Sequence, residues 1–222
     1  MTFPPQTLLL PITDPEEDLS VFFTVPTSLG FVDSKSPSLE IEIGRQTYTI
    51  YQGISGLISG QTGQLVWRSS IHFANWLSKQ DWFKPKNVVE LGSGTGLLAC
   101  VLREKCKRYI ATDQRSLLRL LRKNTDAEVL ELDWTHPVKP CEMDYILACD
   151  VVYNENLIEP LVQTLEFLAS VQTIVIIAGE LRSFEVAVQF LQVWRRSFHV
   201  WIVGDDSLNI IIWIGKRKSS PR

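Results

Sequence analysis

The stretch VVELGSGTGLLACVLREKCKRYIATDQ, residues 88–114, is the most informative part of the chain about its fold. An apolar run is followed by three glycines at alternate positions, Gly92, Gly94 and Gly96, then by an amphipathic segment and a second apolar run that ends at Asp113. This order predicts a strand, a tight loop, a helix and a second strand, which is the repeating unit of a parallel sheet. Because ligands bind beyond the carboxyl ends of such strands, the loop and Asp113 indicate a ligand site.

The same alternation continues to the end of the chain. From residue 86, five apolar strands alternate with amphipathic helices, and the last two strands, FHVWIVG and LNIIIWIGK, are joined only by a short DDS turn. The pattern predicts a mostly parallel sheet with helices on both faces and an antiparallel pair at its end. Upstream, LEIEIGRQTYTIYQ (39–52) predicts a β-hairpin, GISGLISGQTG (53–63) a loop, and 64–80 a helix. Residues 1–37 are rich in Pro, Ser and acids and predict an irregular extension.

Composition narrows the class of protein. The 222 residues are 45% hydrophobic, enough for a substantial core, and the net charge of −3 gives no general attraction to nucleic acid or anionic membranes. The N-terminal segment predicts neither a signal peptide nor a membrane span. Four cysteines without a C-x-x-C pair predict free thiols in a reducing compartment, and three scattered histidines predict no metal site. We therefore expect a cytoplasmic protein, with the nucleus as the other compartment.

The spacing of the three glycines distinguishes this loop from the loops of other nucleotide-binding proteins. Dinucleotide sites usually read G-x-G-x-x-G, whereas the third glycine here comes one residue early, and no Walker lysine follows. With Glu90 ahead of it, the loop resembles the E-x-G-x-G-x-G motif of class I S-adenosylmethionine-dependent methyltransferases. Asp113 at a strand end suits a ribose diol, although the same residue type could cap a helix.

Four further motifs resemble those of the methyltransferase family 16 (methyltransferase-21-like) protein-lysine methyltransferases, and the match spans about residues 39–215. In chain order they are the TGQLVW stretch ending at Trp67, the pair Asp133-Trp134, the D-x-x-Y motif Asp150 to Tyr153, and Glu180-Leu181-Arg182. Within the family, the stretches around Trp67 and Asp150 are most similar to the fungal ribosomal lysine methyltransferase 5 branch.

The resemblance implies a fold, a cofactor and a substrate. It implies an α/β, Rossmann-like fold with seven strands in the order 3-2-1-4-5-7-6, an N-terminal extension with a β-hairpin over 1–65, and the methyltransferase domain over 66–222. The cofactor is S-adenosyl-L-methionine, and the substrate is a lysine of a protein, expected to be ribosomal. The alternatives are a chaperone or other protein, or a non-protein substrate. We expect a monomer that acts neither at a membrane nor on nucleic acid.

Site residues follow from the motifs. The residues expected to hold the cofactor are Trp67, Glu90, Gly92, Ser93, Gly94, Gly96, Asp113, Asp133, Trp134 and Cys149. Asp150 is expected to position the incoming lysine, not to act as a general base, because a carboxylate stabilises the ammonium form. Tyr153 is expected to wall the lysine channel. Asp150 could instead cap the following helix, and for Glu180 and Arg182 a structural pair and a functional role remain equal alternatives.

Two other classes of function stay open on the sequence. One is a binding module that keeps the fold without the chemistry, and the other is a methyltransferase acting on a nucleic acid or small molecule. Methyltransferases that act on base amino groups usually carry two prolines after this acidic residue, whereas two valines follow Asp150 here. The absence of these prolines and the acidic pI of about 5.7 weigh against a nucleic-acid or small-molecule substrate. A nicotinamide-dependent enzyme fits least, because the glycine spacing differs.

Overall fold

A computed structural model describes residues 3–24, 26, 30–53, 62–203 and 209–219. Its main sheet has eight strands. They are β1 (Leu9–Pro11), β4 (Asn87–Leu91), β5 (Arg108–Asp113), β6 (Glu128–Glu131), β7 (Tyr145–Cys149), β8 (Ile174–Glu180), β9 (Phe198–Val203) and β10 (Ile210–Arg217). A separate two-stranded hairpin consists of β2 (Ser38–Ile43) and β3 (Gln46–Tyr51), as the alternating pattern predicts. Most of the predicted 53–63 loop and the DDS turn lie outside the described residues.

The strand order of the main sheet is β1-β9-β10-β8-β7-β4-β5-β6. Strands β6, β5, β4, β7 and β8 run parallel, whereas β10 pairs antiparallel with both β8 and β9. Counted from β4, this is the expected order 3-2-1-4-5-7-6. The predicted α/β methyltransferase fold with an antiparallel terminal pair is therefore confirmed.

Both faces of the sheet are buried. The helices are α1 (Pro15–Ser20), α2 (Arg68–Ser78), α3 (Leu97–Leu102), α4 (Leu118–Asn124), α5 (Ile158–Leu168) and α6 (Phe184–Trp194). Neighbouring strand residues belong to opposite cores: Val89 packs with α5 and α6, whereas Val88 packs with α2 and α3. This alternation explains why the parallel strands β7 and β8 in the middle of the sheet are almost wholly apolar. No helix in the described ranges is long and apolar enough to cross a bilayer.

The first 37 residues differ from the predicted irregular extension. Strand β1 pairs antiparallel with β9 at the sheet edge, and α1 begins after Asp14, whose carboxylate accepts the backbone N–H of Glu16 and Glu17. Leu19 of this helix is fully buried in one of the two cores. A three-residue strand carries too little periodicity to be recognised, and its partner lies at the far end of the chain. The division into 1–65 and 66–222 stays a prediction.

Candidate functional site

A cavity of about 650 Å³ opens where β4, β5, β6 and β7 end. It lies at the carboxyl edge of the parallel strands, where the sequence places the ligand. The predicted residues that line it are Trp67, Glu90, Gly92, Ser93, Gly94, Asp113, Asp133, Trp134, Cys149, Asp150 and Tyr153. The fold therefore brings residues from separate sequence motifs together around one cavity.

The glycine loop forms one wall of the cavity. Gly92 and Gly94 adopt left-handed φ angles of 66° and 53°. A Cβ on Gly94 would lie 2.9 Å from the backbone oxygen of Gly63, so the loop and that segment touch through backbone alone. Glycine is thus required here both by conformation and by close approach.

Gly96 has a different role in the structure. It precedes α3 with a φ of 82°, and a Cβ there would lie 2.6 Å from Cδ1 of Leu121 in α4. It is not among the described residues that line the cavity. Its contribution to the structure is the packing of α4 beneath the loop, and contact with a cofactor stays a prediction.

Ser93 and Thr112 fasten the loop to the neighbouring strand. The backbone N–H of Ser93 donates to the Thr112 carbonyl at 2.9 Å, and the backbone N–H of Thr112 donates to Oγ of Ser93 at 3.1 Å. The Thr112 hydroxyl donates to the carbonyl of Glu90 at 2.6 Å. These bonds hold the glycine loop, and with it one wall of the cavity, in place.

Glu90 lies at the bottom of the cavity and is 1% exposed. The Tyr109 hydroxyl donates to its Oε2 at 2.8 Å. Burial raises the pKa of Glu90 to about 8, so this side chain is a neutral acid near pH 7. It therefore offers the cavity a polar but mainly uncharged group.

Asp113 is a buried carboxylate of the cavity. Its Oδ2 accepts the backbone N–H of Gly94 and its Oδ1 that of Gln114, both at 2.7 Å. Burial raises its pKa, and these two bonds act in the opposite direction. It does not cap a helix, since α4 begins only at Leu118. A carboxylate has about four lone-pair positions, so Asp113 keeps acceptor capacity for a pair of hydroxyls.

Asp133 and Trp134 line the cavity next to the glycine loop. The Asp133 carboxylate closes a turn by accepting the backbone N–H and the hydroxyl of Thr135, each at 2.8 Å, and the backbone bond lowers its pKa. The indole of Trp134 lies over Gly92, with Cζ2 3.5 Å from the position of a Cβ. The pair thus presents a flat aromatic surface beside the loop.

The other end of the cavity is built from ion pairs. Asp150 has a left-handed φ of 57°, and its carboxylate accepts two bonds from the Arg182 guanidinium, at 2.8 and 2.9 Å. The Ser69 hydroxyl and the backbone N–H of Glu180 donate to the same carboxylate. Asp150 is therefore not a helix cap; Asn154 takes that place by accepting the N–H of Asn156.

Arg182 connects this end to the aromatic wall. It also pairs with Glu180 at 3.3 Å, and its guanidinium carbon lies 4.5 Å from the ring centre of Trp67. Tyr153 stands at the mouth with 53% of its surface exposed. The thiol of Cys149 is packed beside Asp150, and its burial and that carboxylate raise its pKa well above the usual range, so it stays protonated.

Several lining residues escaped the sequence analysis. They include Phe31, Gln114, Leu117, Thr135, Leu157 and Pro160. Gln114 and Thr135 directly follow the predicted residues Asp113 and Trp134, so extending each motif by one position would have found them. Phe31 carried no signal, because it reaches the cavity through an isolated bridge with Trp67.

The cavity fits a nucleoside that carries an amino-acid chain. Asp113 offers acceptors for a diol, the backbone of Gly92 and Gly94 allows close approach, and Trp134 offers a flat face for a base. These are the groups that S-adenosylmethionine presents, and the residues present fit it. Among the described residues, no three His, Cys, Asp or Glu side chains are grouped to hold a metal ion.

Comparisons with known proteins agree with this geometry. The family model described as "Lysine methyltransferase" matches residues 54–196. The mouse protein-lysine methyltransferase METTL21E is 32% identical over 71% of this chain and 72% of its own length. Ribosomal lysine N-methyltransferase 5 of the yeast Zygosaccharomyces rouxii is 29% identical over 65% of this chain and 69% of its own length.

Another relative is longer than this chain. A Schizosaccharomyces pombe protein named diaminohydroxyphosphoribosylamino-pyrimidine deaminase is 32% identical over 92% of this chain, but the chain spans only 57% of its length. Among solved structures, a ribosomal protein L11 methylase from Lactobacillus delbrueckii has a TM-score of 0.52 and 20% identity, covering 68% of this chain and 79% of that one. At that identity the likeness shows the fold alone.

Proposed function

The chain belongs to the lysine methyltransferase family, and on that premise we propose that it is an S-adenosylmethionine-dependent protein-lysine N-methyltransferase whose substrate is a ribosomal protein. The observation that carries the proposal is one cavity that is lined by the glycine loop and Asp113 and also by Asp150 and Tyr153. Such a space holds a methyl donor and an amine acceptor side by side.

When bound, the cofactor supplies a methyl group activated on a sulfonium, so the protein has to align the two partners and keep water away. Asp113 and the glycine loop would hold the ribose and amino-acid parts, and Trp134 the adenine. Glu90, neutral near pH 7, adds a polar group without a full counter-charge. No side chain is needed to form a covalent bond.

The acceptor end would receive the lysine side chain. Tyr153 stands at the mouth of the cavity, where its ring can pack against the aliphatic stem of a lysine. Asp150 has both carboxylate oxygens engaged by Arg182 and lies within the same cavity. We assign it to positioning, since it shapes the acceptor end and its charge is already paired.

The ribosomal substrate is proposed from the relative in Zygosaccharomyces rouxii, whose name states that activity. A cytoplasmic location and a monomeric state belong to the same proposal. A chaperone, another protein or a non-protein molecule is the alternative substrate. The name of the fission yeast relative describes a deamination, a different reaction, and much of that protein lies outside the match.

The test uses tritiated S-adenosylmethionine and a lysate from cells that lack this protein, resolved on a gel. We expect labelled bands of ribosomal-protein size with the wild type and much weaker ones with Asp150→Ala. The matched control is Asp81→Ala, because Asp81 is exposed and does not line the cavity. Label that survives protease but not nuclease would reject the protein substrate, and absence of any label with intact cofactor binding would reject the activity.

A further inference from the structure

Four charged side chains form a compact cluster at the acceptor end. Asp150 and Glu180 are 6% and 9% exposed, and Arg182 bonds to both of them. Arg68 pairs with Glu180 at 3.6 Å from the solvent side. Two carboxylates and two guanidinium groups sum to no net charge. Among the described residues, this cluster beside the cavity is therefore electrically balanced before any substrate enters.

This balance bears on the chemistry of an amine acceptor. A lysine attacks only as the neutral amine, and its usual pKa is about 10.4, so it must lose a proton on or before binding. A buried carboxylate with no partner would hold the ammonium form and oppose that loss. In this cavity the carboxylate of Asp150 is already paired through both oxygens, and a guanidinium stands beside the space the amine would enter.

Arg182 is held in this place from several sides. The Trp67 ring lies against one face of the guanidinium, at 4.5 Å. Gly30 packs over the ion pair with a φ of 89°, and a Cβ there would overlap Glu180 and lie 2.7 Å from Nη2 of Arg182. The Arg68 backbone N–H donates to the Gly30 carbonyl at 2.9 Å, and this bond holds Gly30 over the ion pair. The guanidinium has little freedom to leave Asp150.

We propose that Arg182 is a positioning residue that neutralises Asp150, so that the acceptor lysine binds as the neutral amine and its proton passes to bulk water. This inference rests on the proposed function and adds the reason for an arginine at this position. Removing Arg182 would leave Asp150 as an uncompensated carboxylate and shift the amine toward its charged form. Removing the Asp150 charge as well would restore the balance.

The experiment measures the pH dependence of tritium transfer from S-adenosylmethionine to total protein of the lysate that lacks this protein. In a plot of transfer rate against pH, the rate rises over a certain pH range, the rising limb. We expect this limb for Arg182→Gln to lie about one pH unit or more above that of the wild type, which is about a tenfold loss of rate near neutral pH. Arg182→Lys keeps the charge and should keep the wild-type limb. The double variant Asp150→Asn with Arg182→Gln should return toward it.

The outcomes separate an electrostatic role from a merely structural one. A lower rate for Arg182→Gln at every pH, with an unmoved limb, would overturn the proposal. Melting temperature and calorimetric cofactor affinity show whether the variant is folded. If it is not, Asp150→Asn alone decides, because removing one of the two carboxylate charges that Arg182 contacts should move the limb to lower pH, and an unmoved limb counts against the inference. A wild type that binds cofactor but transfers nothing rejects the proposed function itself.

Discussion

At one end of the cavity, the glycine loop and Asp113 come from the single stretch 88–114, whereas at the other end Asp150 and Arg182, and the residues Ser69 and Gly30 that contact them, come from four separate segments. The first end relies on backbone conformation and on buried side chains of one strand–loop–strand unit. The second relies on ion pairs that form only when the segments meet. The difference predicts that substitutions at the first end act on cofactor binding, and those at the second on methyl transfer.

The largest effect on cofactor binding is expected for Gly94→Ala. The new methyl would lie 2.9 Å from the Gly63 oxygen, and the backbone is left-handed, so the loop must move. Such strain costs about 1–3 kcal/mol, and we expect the affinity for S-adenosylmethionine to fall by about 100-fold in calorimetry. Gly44→Ala is the control, since Gly44 also has positive φ but nothing within 4 Å. Equal effects in both variants would show that close approach is unimportant.

Glu90→Gln should change how stability depends on pH. Glu90 has a pKa of about 8 when folded against a usual 4.5, so the folded protein holds a proton that the unfolded chain has released. The contribution of Glu90 to the free energy of unfolding is fully present below its pKa in the unfolded chain. It is lost as the pH rises through its pKa in the folded protein. Between about pH 6 and about pH 7.5 the wild type should lose about 2 kcal/mol in its free energy of unfolding relative to the variant.

Urea unfolding at several pH values measures this difference. Glutamine can still accept the Tyr109 hydroxyl, so the hydrogen bond is retained while the titration is removed. Glu42→Gln is the control, because Glu42 is exposed on β2. If the wild type and Glu90→Gln have parallel pH profiles, Glu90 is ionised in the folded protein and the glycine end carries a second charge.

A smaller effect is expected for Asn124→Ala, which tests how the hairpin supports the loop. The Asn124 amide donates to the carbonyls of Tyr51 and Thr95, at 2.9 and 2.8 Å, and its oxygen accepts the Tyr51 N–H at 2.9 Å. Three bonds at a half-buried position suggest a loss of about 2 kcal/mol in the free energy of unfolding, with cofactor affinity reduced about fivefold.

Asn124→Asp separates the acceptor of this residue from its donors. It keeps the acceptor for the Tyr51 N–H and removes the donors to the carbonyls of Tyr51 and of Thr95 in the glycine loop. We expect it to lower cofactor affinity as much as alanine does, because the loop loses the same bond. Unchanged affinity in both variants, measured by calorimetry, would mean that the hairpin does not support the loop.

The smallest effect on cofactor binding is expected for Gly30→Ala at the other end. Its new methyl would displace the Glu180 carboxylate and crowd Arg182. Cofactor affinity should stay within about twofold, whereas the rate of tritium transfer should fall by about tenfold. Gly44→Ala again controls for positive φ. A large loss of cofactor affinity would show that the two ends act as one unit and would break the distinction between them.

The sequence by itself determined the sheet and the contents of one end of the cavity. Hydrophobic period and the spacing of Gly92 and Gly94 before Asp113 are local signals, and they predicted the alternating strands and helices, the loop and the acidic residue at the strand end, whereas the strand order came from the family resemblance. A resemblance across separated motifs added Asp150 and Trp134, which the fold brings to the same cavity. Local signals suffice because each element is specified by neighbours in the chain.

Only the tertiary structure decided the rest. Strand β1 joins the sheet through a partner at the other end of the chain, and Phe31 reaches the cavity through an isolated bridge to Trp67. The pairing of Asp150 with Arg182 closes across 32 positions of the chain. Such contacts leave no periodic trace in the sequence, because they depend on where folded segments meet and on the burial that makes an unpaired charge costly.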